Sequence, residues 1–249
     1  MSLNLIANWK LNGSKAFNQK WTENFLQHYT SDNFSSIGVT PTSIYIEDMI
    51  KLIGGYGINI GAQNIDTEDQ AARTGEISAS MIKDIGCSFS LIGHSERREL
   101  FNESNQMINQ KLIQASQHSL SPILCIGESA EENKQNLTFE VLQRQLAEAL
   151  NNSKEISSIS IAYEPVWAIG SGQTPEPSDI NSIHEMIKDV VQSRFSHIGL
   201  DSVLYGGSVN SVNARALFEK DEIDGALIGG ASLDGGEFAK IANILNELI

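Results

Sequence analysis

The chain has 249 residues, of which 41% are hydrophobic and 19% charged, a composition typical of globular proteins rather than of disordered or fibrous ones. The 31 acidic residues outnumber the 17 basic ones and give a net charge of −14. This charge argues against nucleic acid or an acidic membrane as a partner.

Two further features concern location. Cys87 and Cys125 lie in apolar segments and lack metal-ligand spacing, so we expect no disulfide framework and a reducing, cytoplasmic location. The N-terminal segment "MSLNLIANWKLNG" has no basic region and no long apolar run. We therefore expect neither a signal peptide nor a membrane span.

Eight short apolar runs recur along the chain, separated by longer segments with helical spacing. The runs cover residues 3–7, 37–40, 58–62, 89–92, 123–126, 159–163, 203–205 and 226–228. Between them, apolar residues repeat at helical steps, for example at Phe17, Trp21 and Phe25. One strand and one helix per roughly 30 residues is the length of a βα unit, which predicts parallel strands joined by helices.

This alternation predicts the α/β class and eight units that can close into a (β/α)8 barrel, with an open doubly wound sheet as the alternative. No Pro-rich or Ser-rich linker divides the chain, so we expect one domain over residues 1–249. In a barrel, the residues after each strand meet on one rim. That rim collects Asn8, Lys10, Gln63, Asn64, His94, Glu96, Glu128, Glu164 and the glycine pairs 206–207 and 229–230.

The segment "AYEPVWAIGSGQTP" carries Glu164 to the end of an apolar strand, where Pro165 stops the strand because it lacks a backbone N–H. The glycine-containing loop that follows is typical of a hinged lid. Closure of such a lid would remove water, raise the pKa of Glu164 and make the carboxylate a stronger base. A solvated or lysine-paired carboxylate is the alternative.

His94 follows the fourth run, and Ser95 can cap a helix that begins with "ERREL". The positive end of that helix would disfavour a second proton on the imidazole and leave a neutral ring that donates one hydrogen bond. A structural histidine is the alternative. The other histidines fall in predicted helices or at helix ends and are interpreted as surface residues: His28, His118, His184 and His197.

Lys10 is the cation among the rim residues, and an acidic protein that binds an anion needs a local one. We interpret it as a substrate-binding and charge-stabilising residue held by Glu96, with a solvated surface lysine as the alternative. Ser208 and the two glycine pairs follow the last two runs, where barrels often bind phosphate on backbone N–H groups. Simple turns are the alternative there. Together, the rim suits proton transfer on a small phosphorylated molecule.

Seven segments, in order, resemble the motifs of the triosephosphate isomerase family: "ANWKLNG", "GAQN", "LIGHSERREL", "PILCIGE", "AYEPVWAIGSGQTP", "LYGGSVN" and "GALIGGASL". The resemblance implies a TIM barrel that interconverts dihydroxyacetone phosphate and D-glyceraldehyde 3-phosphate through an enediol(ate), without metal or cofactor. It implies that Glu164 is the base, that His94 polarises the carbonyl and that Lys10 is the third catalytic residue. It assigns substrate binding to Asn8, Trp9, Lys10, Gly170, Ser208, Gly229 and Gly230.

The resemblance also implies contacts outside the catalytic centre. Glu128 would accept the Trp167 indole N–H while the lid is open, and Tyr205 would bond the closed lid. The loop 64–78 would insert into the partner of a homodimer and bring Thr74 near the other site. The sequence departs from the family at Gln173, where lysine is usual, and at Arg73, where an aromatic or apolar residue is expected.

Two other functions stay open at this stage. A barrel aldolase could form a Schiff base through Lys10, and borohydride trapping would reveal the imine. A catalytically silent barrel could bind a phosphate without converting it. The joint presence of Glu164, His94 and Lys10 disfavours the silent barrel, and a coupled isomerase assay tests it.

Overall fold

The computed structural model describes residues 3–168 and 174–248, and within them parallel strands form one closed barrel in chain order. The strands are β1 (Leu5–Asn8), β2 (Ile37–Thr40), β3 (Asn59–Ala62), β4 (Phe89–Ile92), β5 (Ser121–Ile126), β6 (Ser158–Tyr163), β7 (Gly199–Tyr205) and β8 (Gly225–Ile228). β8 pairs with β1, with Ala226 beside Leu5. This pairing confirms the predicted (β/α)8 barrel and excludes the open sheet.

Helices surround the barrel: α1 (Lys15–His28), α2 (Ile46–Ile53), α3 (Ala79–Asp84), α4 (Ser95–Leu100), α5 (Asn105–Gln117), α6 (Ala130–Lys134), α7 (Thr138–Ala149), α8 (Pro177–Arg194), α9 (Ala214–Phe218) and α10 (Gly235–Asn246). Serine side chains cap several N-termini, as at Ser14 and Ser104. Trp21 and Phe25 of α1 pack against Phe238 of α10, as the predicted apolar stripe requires. No helix of the described residues is long and apolar enough to span a membrane.

The interior of the barrel is packed rather than hollow. The ring of Phe89, from β4, lies against Gly38 of β2 and Gly61 of β3, where a Cβ atom would come within 2.8 or 2.6 Å of it. Small residues on these strands therefore make room for one large ring. A rigid interior fixes the carboxyl ends of the strands, and with them the side chains on the rim.

Two sequence expectations need correction. β7 begins at Gly199 rather than at residue 203, because its first half contains polar residues that an apolar run cannot reveal. Ser202 of this strand donates a hydrogen bond to Ser160 of β6 at 2.9 Å inside the barrel. His184 is fully buried, not a surface residue: its Nδ1 lies 3.2 Å from the carbonyl oxygen of Glu222, and its ring meets Tyr163 edge-on.

Candidate active site

A cleft of about 560 Å³ opens at the carboxyl ends of the strands. Most of the predicted site residues line it together: Asn8, Trp9, Lys10, His94, Glu164, Ser208, Gly229 and Gly230. Each of these positions is the last residue of β1, β4, β6, β7 or β8 or follows the end of one of these strands by one to three residues. Gly170 and Gln173 lie outside the described residues.

Glu164 and His94 face each other across the floor of this cleft. Oε1 of Glu164 lies 3.0 Å from Nε2 of His94, and Oε2 accepts the backbone N–H of Ser95 at 2.9 Å. The side chains of Glu164 and His94 are 2% and 7% exposed. Gly206 allows this placement, because a Cβ atom there would lie 2.8 Å from Cγ of Glu164.

The imidazole of His94 is itself the N-cap of α4. Its Nδ1 accepts the backbone N–H of Glu96 at 3.2 Å, so Nδ1 carries no proton in this arrangement. The ring proton is then on Nε2, where it points at Glu164. The expectation that Ser95 caps this helix was wrong, since Ser95 is the first helical residue.

Burial is the largest single influence on the pKa of each residue of the pair, but the other contacts together outweigh it. Burial raises the pKa of Glu164, but the His94 imidazole and the Ser95 N–H outweigh it and hold that pKa below its ordinary value. Burial lowers the pKa of His94, but the Glu164 carboxylate outweighs it and raises that pKa. The direction for His94 opposes the expectation drawn from the helix end, whereas the rise expected for Glu164 on closure of the lid depends on residues outside those described. The sequence could not reveal that the two side chains are direct partners.

Lys10 adopts an uncommon backbone conformation that its neighbours hold in place. Its φ of 51° lies in the left-handed region, its N–H donates to Oδ1 of Asn8 at 3.1 Å, and its carbonyl accepts from Nε2 of Gln63 at 2.9 Å. Its ammonium forms an ion pair with Glu96 at 2.6 Å, which confirms the expected partner. A Cβ atom at Gly229 would lie 3.3 Å from Cε of Lys10, so the lysine stem runs beside that glycine.

The far rim carries the residues expected to bind phosphate. Gly229 follows β8, and Gly230 begins a 3₁₀ turn in which Ser232 donates to the Gly229 carbonyl at 2.7 Å. The Ser208 hydroxyl donates to the carbonyl of Ala168 at 3.3 Å and so links this rim to the 3₁₀ turn Val166–Ala168 that follows β6. Trp9 differs from the others: its indole is completely buried and packs edge-on against Phe17 and Trp21.

Trp167, which follows Glu164 and Pro165, makes the contact with Glu128 that the resemblance implies. The Trp167 indole donates to Oε1 of Glu128 at 2.7 Å, and Tyr163 donates to the same oxygen at 3.2 Å. Burial raises the pKa of Glu128 although these donors oppose it. The buried Tyr205 hydroxyl has no hydrogen-bond partner among the described residues, and its bond to a closed lid stays a prediction.

Sequence reasoning missed three hydrogen-bond donors of the site. They are Gln63, which donates to the Lys10 carbonyl, the Ser95 N–H, which donates to Glu164, and Tyr163, which donates to Glu128. The position of Gln63 directly after a strand placed it on the rim. Nothing in the sequence indicated that its amide donates to the Lys10 carbonyl. A backbone N–H leaves no signal in sequence. Among the described residues, no group of three or more His, Cys, Asp or Glu side chains could hold a metal ion.

Comparison with known proteins gives a consistent set of relatives. The family model described as triosephosphate isomerase matches residues 3–245. The triosephosphate isomerase of Nitrosococcus oceani is 41% identical over 240 residues, covering 95% of this chain and 96% of the relative. That of Aquifex aeolicus is 39% identical over 241 residues (95% and 97%), and that of Sodalis glossinidius is 41% identical over 246 residues (98% and 96%).

Proposed function

The chain belongs to the triosephosphate isomerase family, and on this premise we propose that it interconverts dihydroxyacetone phosphate and D-glyceraldehyde 3-phosphate in glycolysis and gluconeogenesis. The observation that carries the proposal is the buried His94–Glu164 contact of 3.0 Å beside Lys10 in one cleft. A base, a hydrogen-bond donor and a cation within one small cleft suit proton transfer next to a carbonyl group.

Glu164 is the proposed base. Its carboxylate leaves the Ser95 N–H and His94 when substrate enters, and takes the proton from the carbon next to the carbonyl. Loss of both partners, in a site from which water is excluded, removes the hydrogen bonds that lower its pKa and leaves the weaker influence of Lys10. The free carboxylate is therefore a stronger base at the moment of transfer than in the resting arrangement.

His94 is the proposed electrophile. Its Nε2–H, which donates to Glu164 in the resting arrangement, becomes free to donate to the carbonyl oxygen of the substrate once Glu164 moves. The Glu96 N–H on Nδ1 keeps the ring in that tautomer. The ring then exchanges protons between the two oxygens of the enediol(ate).

Lys10 and the glycine rim supply the positive potential that an anionic substrate needs in a chain of net charge −14. We assign Lys10 to the developing charge of the enediolate, and Ser208, Gly229, Gly230 and Gly170 to the phosphate. Asn8 binds the substrate and holds the Lys10 N–H. We assign the substrate contact of Trp9 to its backbone, because its indole is buried.

We further propose a cytoplasmic homodimer joined through the loop 64–78. A second cleft of about 500 Å³ adjoins Lys10 and His94. Apolar side chains on its border are unusually exposed for a monomer: Leu11 at 93%, Leu100 at 69% and Phe101 at 61%. Thr74 is exposed on the loop and would approach the partner's site there.

A coupled isomerase assay tests the proposal, with dihydroxyacetone phosphate as substrate and no added metal. We expect turnover by the wild-type chain and loss of turnover in Glu164→Gln. Borohydride added with substrate separates this reaction from a Schiff-base aldolase, because proton transfer forms no imine. Covalent trapping at Lys10 would favour the aldolase, and binding of phosphate without turnover would favour the silent barrel.

A further inference from the structure

The loop 64–78, which we call the arm, is fastened by an ion pair between its tip and its base. At the base, the Asp66 N–H donates to the Ile77 carbonyl at 2.8 Å. From the tip, Nη1 of Arg73 reaches Oδ1 of Asp66 at 2.7 Å and the Thr67 hydroxyl at 2.8 Å. Its Nη2 lies 3.8 Å from a carboxylate oxygen of Glu68.

Arg73 is the only basic residue in the arm, which carries four acidic ones. The arm carboxylates Asp66, Glu68, Asp69 and Glu76 line one hollow of about 280 Å³ together with Arg73. His118, the C-cap of α5, approaches Asp69 at 3.5 Å from outside the arm. Removal of the guanidinium would leave four like charges close together, and their repulsion would favour an open arm.

The pair differs from an isolated surface ion pair in the burial of its acid and in the number of its contacts. The Asp66 side chain is only 12% exposed, and the planar guanidinium contacts three oxygen-bearing side chains at once. Isolated exposed pairs contribute little, whereas a shared cation in a network contributes more. A fixed arm also has less conformational freedom to lose when it enters a partner.

We propose that Arg73 is a positioning residue for assembly: it holds the arm in the shape that a second copy of this chain receives, so that dimer affinity depends on this ion-pair network. The inference rests on the proposed homodimer and specifies what controls it. An aromatic residue at this position would act through packing, whereas Arg73 acts through charge. Each copy contributes one arm, so that loss of the pair counts twice per dimer.

The test compares the dimer dissociation constants of wild type, Arg73→Gln and Arg73→Lys by sedimentation. We expect Arg73→Gln to raise the dissociation constant at least tenfold at about 0.05 M NaCl. The constant of Arg73→Lys should lie between those of wild type and Arg73→Gln, because lysine keeps the charge but not the planar set of donors of the guanidinium. The ratio of variant to wild type should shrink toward one at about 0.5 M NaCl, since salt screens both the pair and the repulsion.

Arg144→Gln is the matched control, because Arg144 of α7 also forms a partly exposed ion pair, with Glu132 at 3.4 Å. Its dissociation constant should equal that of wild type. Asp66→Asn is the second variant; it should weaken the dimer while lowering the negative charge of the arm, which separates pairing from net charge. Hydrogen exchange at the Asp66 amide should become faster in Arg73→Gln.

The outcomes are distinguishable. A dimeric wild type with an unchanged dissociation constant in both Arg73→Gln and Asp66→Asn overturns the inference alone. A salt-independent loss of affinity in Arg73→Gln also overturns it, because packing rather than charge would then act. A wild-type chain that stays monomeric overturns the homodimer proposal and this inference with it.

Discussion

Nε2 of His94 and Oε1 of Glu164 are 3.0 Å apart in a buried contact, so that the proposed electrophile and the proposed base are each other's resting partner. The contact lowers the pKa of Glu164 and raises that of His94. Substrate must separate the two before either can act. Glu164 is therefore a weak base in the resting site and becomes a stronger base when substrate binds.

Shortening the base tests its position. Glu164→Asp keeps the carboxylate but withdraws it by one methylene from both Ser95 and the cleft. We expect kcat to fall by about 10²-fold or more while KM changes far less, because proton transfer tolerates little misplacement. Steady-state kinetics measure both constants. Turnover close to wild type would remove Glu164 from the mechanism.

The charge of Glu164 can be tested at the ring of His94. Glu164→Gln removes the carboxylate that raises the pKa of His94 and leaves the burial that lowers it, so the ring should titrate at lower pH than in wild type. Nitrogen-resolved NMR across pH 5 to 8 measures the shift. An unchanged or higher titration midpoint in the variant would contradict the mutual influence of the pair.

Buried His184 predicts a loss of stability in acid. Burial lowers its pKa to about 3, whereas the unfolded side chain titrates near about 6.5. Below about pH 6.5, His184 takes up a proton in the unfolded chain but stays neutral in the folded chain. The free energy of unfolding therefore falls as the pH falls. The expected loss from this residue is about 2 kcal/mol between pH 7 and pH 5.

His184→Asn isolates that contribution, because its amide N–H can still donate to the Glu222 carbonyl. Urea unfolding at pH 7 and pH 5 should show a smaller acid-induced loss in the variant than in wild type. The exposed His197, changed to Asn, is the control and should behave like wild type. An equal acid-induced loss in His184→Asn and wild type would contradict the assignment.

Deletion of residues 169–172 tests the lid predicted from sequence, which lies outside the described residues. Glu164 and His94 sit at the ends of β6 and β4 and should survive the deletion. The intermediate would meet water and lose phosphate, so methylglyoxal formed per triose isomerised should rise. A ratio equal to that of wild type would mean that the segment does not shield the intermediate.

The sequence predicted the barrel well because strands buried on both faces leave short segments rich in apolar residues, as β2 and β4 do within their observed bounds. It predicted the rim because the topology brings all strand ends together. It failed where polar groups enter the core: Ser160 bonds Ser202 inside the barrel, and His184 is buried. Such positions depend on a partner distant in sequence, which a local pattern cannot show.

The same limit explains the errors at the site. Burial of Glu164 was predictable from its strand. Its hydrogen-bond partners, however, are His94 and Ser95, at the N-terminus of α4. The direction of its pKa shift therefore could not follow from the segment alone. Arg73 is the opposite case: the sequence marks it as unusual, and only the folded arm shows that Asp66 is its partner.

Solvent labelling tests the central claim most directly. Dihydroxyacetone phosphate is isomerised by the wild-type chain in D₂O, and the D-glyceraldehyde 3-phosphate is trapped and examined for deuterium at carbon 2. A proton removed by Glu164 exchanges with solvent, so we predict isomerised product that carries deuterium at this carbon. Isomerised product without deuterium at carbon 2, or no isomerisation at all, would contradict base-catalysed proton transfer at this site.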